Sequence, residues 1–478
     1  MNLKGVAFSP HPPIIIPEVG MGEEKGASKT IEGMEKMAKD VAVKAPKVIV
    51  LITPHGNVFS DGLCILDDEV LRGDLGKFAR PDVRFERQVD QDLQHVIREQ
   101  FEKDKVQHIF IDGEKAQEYM VDMEIDHGCA VPLYYIQKEY NEFKIIHMTI
   151  GMLSIMDMYR AGVSLAKAIE KSGRDTVIVA SGDLSHRLSS TGPYSYNPKG
   201  AVFDGKIVDA LRHGDFERAI SIPRSVYEPA GECGYRSIAM ALGSVDMADV
   251  DVKIYSYEGP FGVGYMTGFL DVKGEKKDSL LDMLERRDLA EMKAQRQSED
   301  DYIKLARHAV ESWVKEGRTI DLDYAGDSIG IDTESMEMRK AAAFVSIYKE
   351  GMLRGCVGTM EPVMENVAHE IIKNAISAAS NDPRFSPIRS DEIERLDIKV
   401  DVLGDPELVQ SKSELDENDY GVIIVSGSKK GVLLPKLEGV DSVERQIEIV
   451  KKKAGIEEGE KYDIYRFKVE RHEHVDYE

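Results

Sequence analysis

Lys47-Val48-Ile49-Val50-Leu51-Ile52-Thr53-Pro54-His55-Gly56 decides how the first half of this chain is read. Val48 to Ile52 is an unbroken apolar run of strand length, far short of the roughly 20 residues a membrane span needs. With no polar residue at alternate positions, it reads as a strand buried on both faces, the kind helices cover in a parallel sheet. The run then breaks into a polar turn, with His55 held between Pro54 and Gly56. Open α/β sheets build their sites at the C-terminal ends of their strands, so a histidine here is a candidate site residue.

Three further histidines share this context. They are His11 in Ser9-Pro10-His11-Pro12-Pro13, His127 in Ile125-Asp126-His127-Gly128, and His186 in Ser181-Gly182-Asp183-Leu184-Ser185-His186. Gly5 to Phe8, Lys144 to Thr149 and Thr176 to Ala180 also read as buried strands. Helical patterns over Ala27 to Lys44 and Met156 to Lys171 lie between them. Alternation of this kind gives an α/β fold, a central sheet flanked by helices.

A length of 478 residues suggests two or three domains. A stretch beginning at Lys273 is dense in mixed charge and poor in apolar residues, and reads as a partly helical linker. The expected division is a first domain over 1–272, a charged linker over 273–296 and a second domain over 297–478. The second is also α/β, with helices over Tyr302 to Glu316, Met364 to Ser380 and Ser442 to Lys453. Its strands are expected at Ala342 to Lys349, Ile398 to Leu403 and Gly421 to Ser426.

Acidic residues outnumber basic ones, 86 to 62, for a net charge of -24, which argues against nucleic acid or an anionic membrane as partner. No apolar h-region follows Met1, and a cytoplasmic location is expected. Cys64, Cys129, Cys233 and Cys356 are scattered with no C-x-x-C pair, which indicates neither a zinc ribbon nor a disulfide framework.

Two histidines and one carboxylate on one face of a metal leave coordination positions open for substrate and oxygen. His11 and His55 are the candidate imidazoles. The third donor is expected in Glu228-Pro229-Ala230-Gly231-Glu232-Cys233-Gly234, a small-residue turn leading into an apolar helix over Ser237 to Leu242, where either Glu232 or Cys233 can point at a strand-end site. Asp183, three residues before His186, orients that imidazole or serves as a turn or helix-cap residue.

The motifs Pro10-His11-Pro12-Pro13, Thr53-Pro54-His55-Gly56, Asp126-His127-Gly128-x-x-Val131-Pro132-Leu133 and Ser181-Gly182-Asp183-Leu184-Ser185-His186 occur in order. Together they resemble the class III extradiol ring-cleavage dioxygenases of the LigB type and their Memo relatives. That resemblance implies Fe(II) bound by His11, His55 and Glu232, with zinc or copper as alternative metals. It makes His186 the acid–base histidine and puts His127 in the same pocket. The implied reaction is ring cleavage of a catechol or aminophenol. In Memo proteins the third site residue is a cysteine, which Cys233 matches, and ring cleavage is not established there.

In the second domain, Leu353-Arg354-Gly355-Cys356-Val357-Gly358-Thr359 reads either as a tight strand connection with a buried cysteine or as an open pocket loop built on Arg354 and Cys356. With Trp313, Asn381-Asp382-Pro383-Arg384-Phe385, Gly431-Val432-Leu433-Leu434-Pro435 and Gln446, it resembles the AMMECR family. A LigB/Memo-like domain joined to an AMMECR domain is similar to the AmmeMemoRadiSam system proteins. The resemblance implies a separate radical-SAM partner, since this chain has no C-x-x-x-C-x-x-C cluster motif. The expected function is therefore an Fe(II)-dependent oxidoreductase on a small aromatic substrate. The alternative is a metal-binding, non-oxygenase protein that works with the AMMECR module on another small molecule. Assembly into a homo-oligomer is compatible with either.

Overall fold

The computed structural model describes residues 1–322, 330–437, 439–457 and 459–473. The chain forms two compact units, Met1–Glu285 and Arg286–Glu478. No helix among the described residues is long and apolar enough to cross a membrane.

The strands of the first unit are β1 (Leu3–Ser9), β2 (Val48–Thr53), β3 (Leu63–Leu66), β4 (Val70–Leu75), β5 (Arg80–Gln88), β6 (His108–Ile111), β7 (Lys144–Thr149), β8 (Thr176–Ser181), β9 (Ala248–Glu258) and β10 (Tyr265–Glu275). Eight of them make one sheet in the order β6-β3-β7-β2-β8-β1-β10-β9, while β4 and β5 pair apart as an antiparallel hairpin. The middle of the sheet, β7-β2-β8-β1, is parallel. Every residue of β2 and β8 is buried, so both faces of the sheet are covered, as their unbroken apolar sequences require. Helix Ser28–Lys44 lies against β1, β9 and β10 and packs on helix His127–Glu139. Helices Gln91–Lys103 and Tyr235–Ser244 both pack on helix Ile155–Ser172. The last contact is close because Gly162 and Gly243 lack side chains: a Cβ on Gly243 would stand 2.0 Å from the Tyr159 carbonyl oxygen.

The charged stretch at 273–296 contains the end of a strand and most of a helix. β10 runs on to Glu275, and a helix occupies Leu280–Gln297. Few of that helix's residues are buried, Leu284 being the exception, so its mixed charge is the solvated face of a helix.

The second unit holds β11 (Ala343–Lys349), β12 (Met352–Gly358), β13 (Leu396–Leu403), β14 (Glu407–Leu408), β15 (Gly421–Ser426), β16 (Lys429–Leu433), β17 (Asp463–Phe467) and β18 (Val469–His472). They form two four-stranded antiparallel sheets, β12-β11-β13-β18 and β14-β17-β15-β16. Helices Asp301–Glu316 and Val367–Ser380 cover the first sheet, and helix Val443–Ala454 covers the second.

Sequence reading missed β12, because Gly351 to Thr359 looked like a loop. It is an edge strand whose glycines serve close packing: a Cβ on Gly355 would meet the Ala378 carbonyl oxygen at 2.1 Å. An edge strand exposes unpaired backbone groups. Here Asp382 accepts from the Cys356 N–H at 2.8 Å, and Arg384 donates to the Cys356 carbonyl at 3.2 Å. The Asn381-Asp382-Pro383-Arg384 segment thus closes the edge with side chains in place of another strand.

Candidate metal centre

Three parallel strands of the first unit end flush. Ser9 pairs with Ser181, and Ile52 pairs with Ala180. His11, His55 and Asp183 each lie two residues beyond the end of β1, β2 and β8 respectively. The shared offset brings three polar side chains to the same height above the sheet, at the end where α/β folds place ligands. A fourth element is drawn in by a glycine pair. A Cβ on Gly182 would stand 2.1 Å from the Cα of Gly234, so both must be glycine for the Gly231–Gly234 turn to lie on the end of β8. That turn carries Cys233, whose N–H donates to the Asp183 carbonyl at 3.3 Å. The Asp183 N–H in turn points at Cys233 Sγ, also at 3.3 Å.

The result is a convergent donor set. His11 Nε2 and His55 Nε2 are 3.0 Å apart, and Cys233 Sγ is 3.7 Å from His11 Nε2. The donor atoms of all three residues lie within 4.8 Å of one another. Two imidazole nitrogens at about 2.1 Å from one ion stand roughly 3.0 Å apart at a right angle, and a thiolate at about 2.3 Å stands roughly 3.6 Å from such a nitrogen at a tetrahedral angle. The residues present therefore fit a metal ion. Of the two candidates for the third donor, the set contains Cys233 and not Glu232. Glu232 accepts from the Tyr235 N–H at 2.6 Å, at the start of helix Tyr235–Ser244. Its neighbour in sequence takes the site because successive side chains in the turn point in different directions.

His127 adds a third imidazole, with its ring 4.2 Å from that of His55 and 5.4 Å from that of His11. It sits at the first position of helix His127–Glu139 rather than at a strand end. Asp126 places it there, accepting from the Gly128 N–H at 2.8 Å as the helix N-cap. The other carboxylate oxygen of Asp126 takes His147 Nε2 at 2.7 Å, and Thr53 Oγ1 donates to the first at 2.8 Å. Asp126, Cys129 and His147 converge as a second donor group, but these bonds already commit Asp126 to holding β2, β7 and the helix together. An aspartate directly before a His-Gly turn is a helix-start signal, and that signal marks Asp126 in the sequence.

The electrostatics keep the imidazoles neutral, as metal ligands must be. Burial holds His11 well below the usual histidine range, and the neighbouring His55 pushes in the same direction. Burial also lowers His55, against the opposing pull of Asp126 and Asp183. His127 is pushed down to about 3 by burial and by His55 and His11. Burial drives the Cys233 thiol well up, with Asp183 adding to the effect. The carboxyl of Asp183 is pushed up to about 6 by burial, and that of Glu232 up to about 7 for the same reason.

His186 lies beside the cluster. Burial lowers it while Asp183 raises it, and a charge there would be felt at both His11 and His55. Its ring stacks on Tyr194, at 5.1 Å between centroids and 20° between planes. Tyr194 is 52% exposed and comes from a polar loop with no periodic signal, so the sequence did not mark it. Asp183 does not cap a helix. Its carboxylate accepts from the His11 N–H at 3.0 Å, fixing the backbone of His11 rather than the imidazole of His186 by hydrogen bond.

In the second unit, Arg354 is engaged by the protein's own acceptors. Its guanidinium binds Glu392 bidentately at 2.9 and 3.0 Å and donates to the carbonyls of Ser386 and Pro387. It therefore ties the edge strand to the 386–392 segment, with Glu392 almost completely buried. Cys356 is partly buried, and its sulfur takes the Ser346 hydroxyl at 3.2 Å.

Comparison with known proteins matches residues 5–268 to the family described as the catalytic LigB subunit of aromatic ring-opening dioxygenase, and residues 303–472 to AMMECR1. A Clostridium acetobutylicum protein is 42% identical over 475 residues, covering 99% of each chain. A Thermotoga maritima protein is 47% identical over 176 residues, 36% of this chain and 98% of its own. Among solved structures, an uncharacterized protein of Pyrococcus horikoshii aligns at 28% identity and a TM-score of 0.32, covering 36% of this chain and 88% of that one.

Proposed function

The chain belongs to the LigB family and carries a C-terminal AMMECR1 module, and from that premise we propose that its first unit is a mononuclear metal site built on His11, His55 and Cys233. The observation that carries this reading is the convergence of two Nε2 atoms and one Sγ at flush strand ends. A thiolate in the set suits the softer divalent ions, iron, zinc or copper, better than a hard ion such as magnesium. An ion held there supplies Lewis acidity and open positions for a small molecule with two adjacent heteroatoms.

The chain's own groups supply the rest of the chemistry. His186, half-buried beside the cluster and lowered by burial, takes a proton from the bound molecule and returns it later. His127, its ring beside those of His55 and His11, offers a neutral imidazole that can accept a hydrogen bond from the bound molecule. Asp183 holds the His11 backbone, and its carboxyl adds no full charge in acid.

Ring cleavage of a catechol or aminophenol with Fe(II) is a second reading, favoured by the position of His186 next to the paired imidazoles. It asks for an oxygen donor where this chain offers Cys233. In the first reading, the non-oxygenase one, the AMMECR module and a separate radical-SAM partner would work with this site on an unknown small molecule. Metal analysis of anaerobically purified protein, followed by oxygen uptake over a catechol and aminophenol panel, separates the two. Bound metal without oxygen uptake supports the first reading, and metal-dependent uptake supports the second. Absence of any bound metal contradicts both.

A further inference from the structure

His11 presents two ring nitrogens, and only one faces His55 and Cys233. Nε2 faces them, while Nδ1 lies 2.9 Å from Ser181 Oγ. Which nitrogen carries the proton decides whether Nε2 offers a lone pair. Ser181 settles this by its own hydrogen bonds. A hydroxyl has a single proton to donate. Ser181 donates it to the carbonyl oxygen of Gly128. Toward His11 the hydroxyl can only accept, so Nδ1 must carry the hydrogen and Nε2 must be bare.

The Gly128 carbonyl is free for Ser181 because of Pro132. In an α-helix the carbonyl of residue i accepts from the N–H of residue i+4. Within helix His127–Glu139 that partner of Gly128 is Pro132, which has no N–H. Gly128 is itself fixed by packing, since a Cβ there would stand 2.4 Å from Thr53 Oγ1. Ser181 and His11 are both buried, so water does not compete for these bonds.

We propose that Pro132 and Ser181 together lock His11 as its Nδ1–H tautomer, with Ser181 the positioning residue that turns the bare Nε2 toward His55 and Cys233. The relay runs Pro132, Gly128 carbonyl, Ser181 hydroxyl, His11 Nδ1. It explains why a proline is tolerated inside the helix that carries His127. The metal-affinity consequence rests on the reading of the first unit as a metal site, and the tautomer itself does not.

The test uses the full-length, metal-free chain labelled with ¹⁵N-histidine, with His11 assigned by loss of its signals in His11→Gln. Two-bond proton–nitrogen correlations report which nitrogen is protonated. The expected result is a protonated Nδ1 and a bare Nε2 in the wild type. Ser181→Ala should give a mixture of tautomers, and Ser181→Thr, which keeps the hydroxyl, should restore the wild-type pattern. Zn(II) affinity should fall by about 10–100-fold in Ser181→Ala, the usual effect of removing a group that orients a ligand, and recover in Ser181→Thr. A wild-type His11 protonated at Nε2 overturns the proposal whatever the variants do. An unchanged tautomer in a folded Ser181→Ala overturns it too. The expected tautomers without Zn(II) binding to any variant support the relay and contradict the metal reading.

Discussion

His11 Nε2 and His55 Nε2 face each other at 3.0 Å although they stand at the ends of different strands, β1 and β2. These strands are not neighbours, because β8 lies between them in the sheet. The contact exists because all three strands end flush and each carries its polar residue two positions on. Two neutral imidazoles, one buried and one half-buried, face each other at this spacing with a hydrogen or a cation between the nitrogens, because two bare lone pairs would repel.

Glu232 is expected to be dispensable for metal binding. Glu232→Gln keeps an acceptor for the Tyr235 N–H and leaves Zn(II) affinity unchanged, as measured by competition with a chromophoric chelator. Glu232→Ala removes the bond at the helix start and costs about 0.5–2 kcal/mol of stability. A large loss of affinity in Glu232→Gln would return the carboxylate to the donor set.

Gly182→Ala is expected to disturb both stability and the site. The new Cβ would meet the Gly234 backbone at 2.1 Å and push the Cys233 turn away from the strand. Overpacking of this kind costs about 1–3 kcal/mol, and metal affinity should fall with it. Urea unfolding together with chelator competition checks both, and a variant unchanged in each would show that the turn is not pinned by this contact.

Asp204 gives a pH dependence whose sign is fixed. It is buried, accepting from the Ser185 N–H at 2.8 Å and the Tyr257 hydroxyl at 2.7 Å, and burial pushes its carboxyl up to about 6. An unfolded aspartate titrates near about 3.9. Between these values the folded chain holds a proton the unfolded chain has lost, so stability is greatest below the window and falls as pH rises through it. Asp204→Asn should remove the share of that fall due to Asp204, so the wild type loses on the order of 2 kcal/mol relative to the variant between about pH 4 and 6.5. Parallel stability curves for the two proteins would contradict the assignment.

Arg354→Met should destabilise the second unit without touching the first. Removing one partner leaves Glu392 buried and uncompensated, a loss of about 3–5 kcal/mol. Differential scanning calorimetry should show an early transition from the second unit and an unchanged Zn(II) affinity. An undisturbed second unit would mean that the guanidinium serves a ligand instead.

Much of the first unit was legible because its signals are local. The apolar runs of β2 and β8 declare buried parallel strands, and the Pro and Gly flanks of His11 and His55 declare turns. The choice between Glu232 and Cys233 was not legible, since adjacent residues in a turn share composition and differ only in direction. Ser181 acts through bonds to residues far away in sequence, which no spacing reveals. β12 was misread because its glycines, needed for contact with Ala378, look like loop residues when the partner helix is unseen.

The most direct test of the metal site is X-ray absorption at the zinc edge of the Zn(II)-loaded full-length chain, beside Cys233→Ala. A site built on His11, His55 and Cys233 gives one sulfur at about 2.3 Å and nitrogens at about 2.0–2.1 Å, with the sulfur shell lost in Cys233→Ala. A wild-type spectrum fitted by nitrogen and oxygen alone, unchanged in Cys233→Ala, would contradict it.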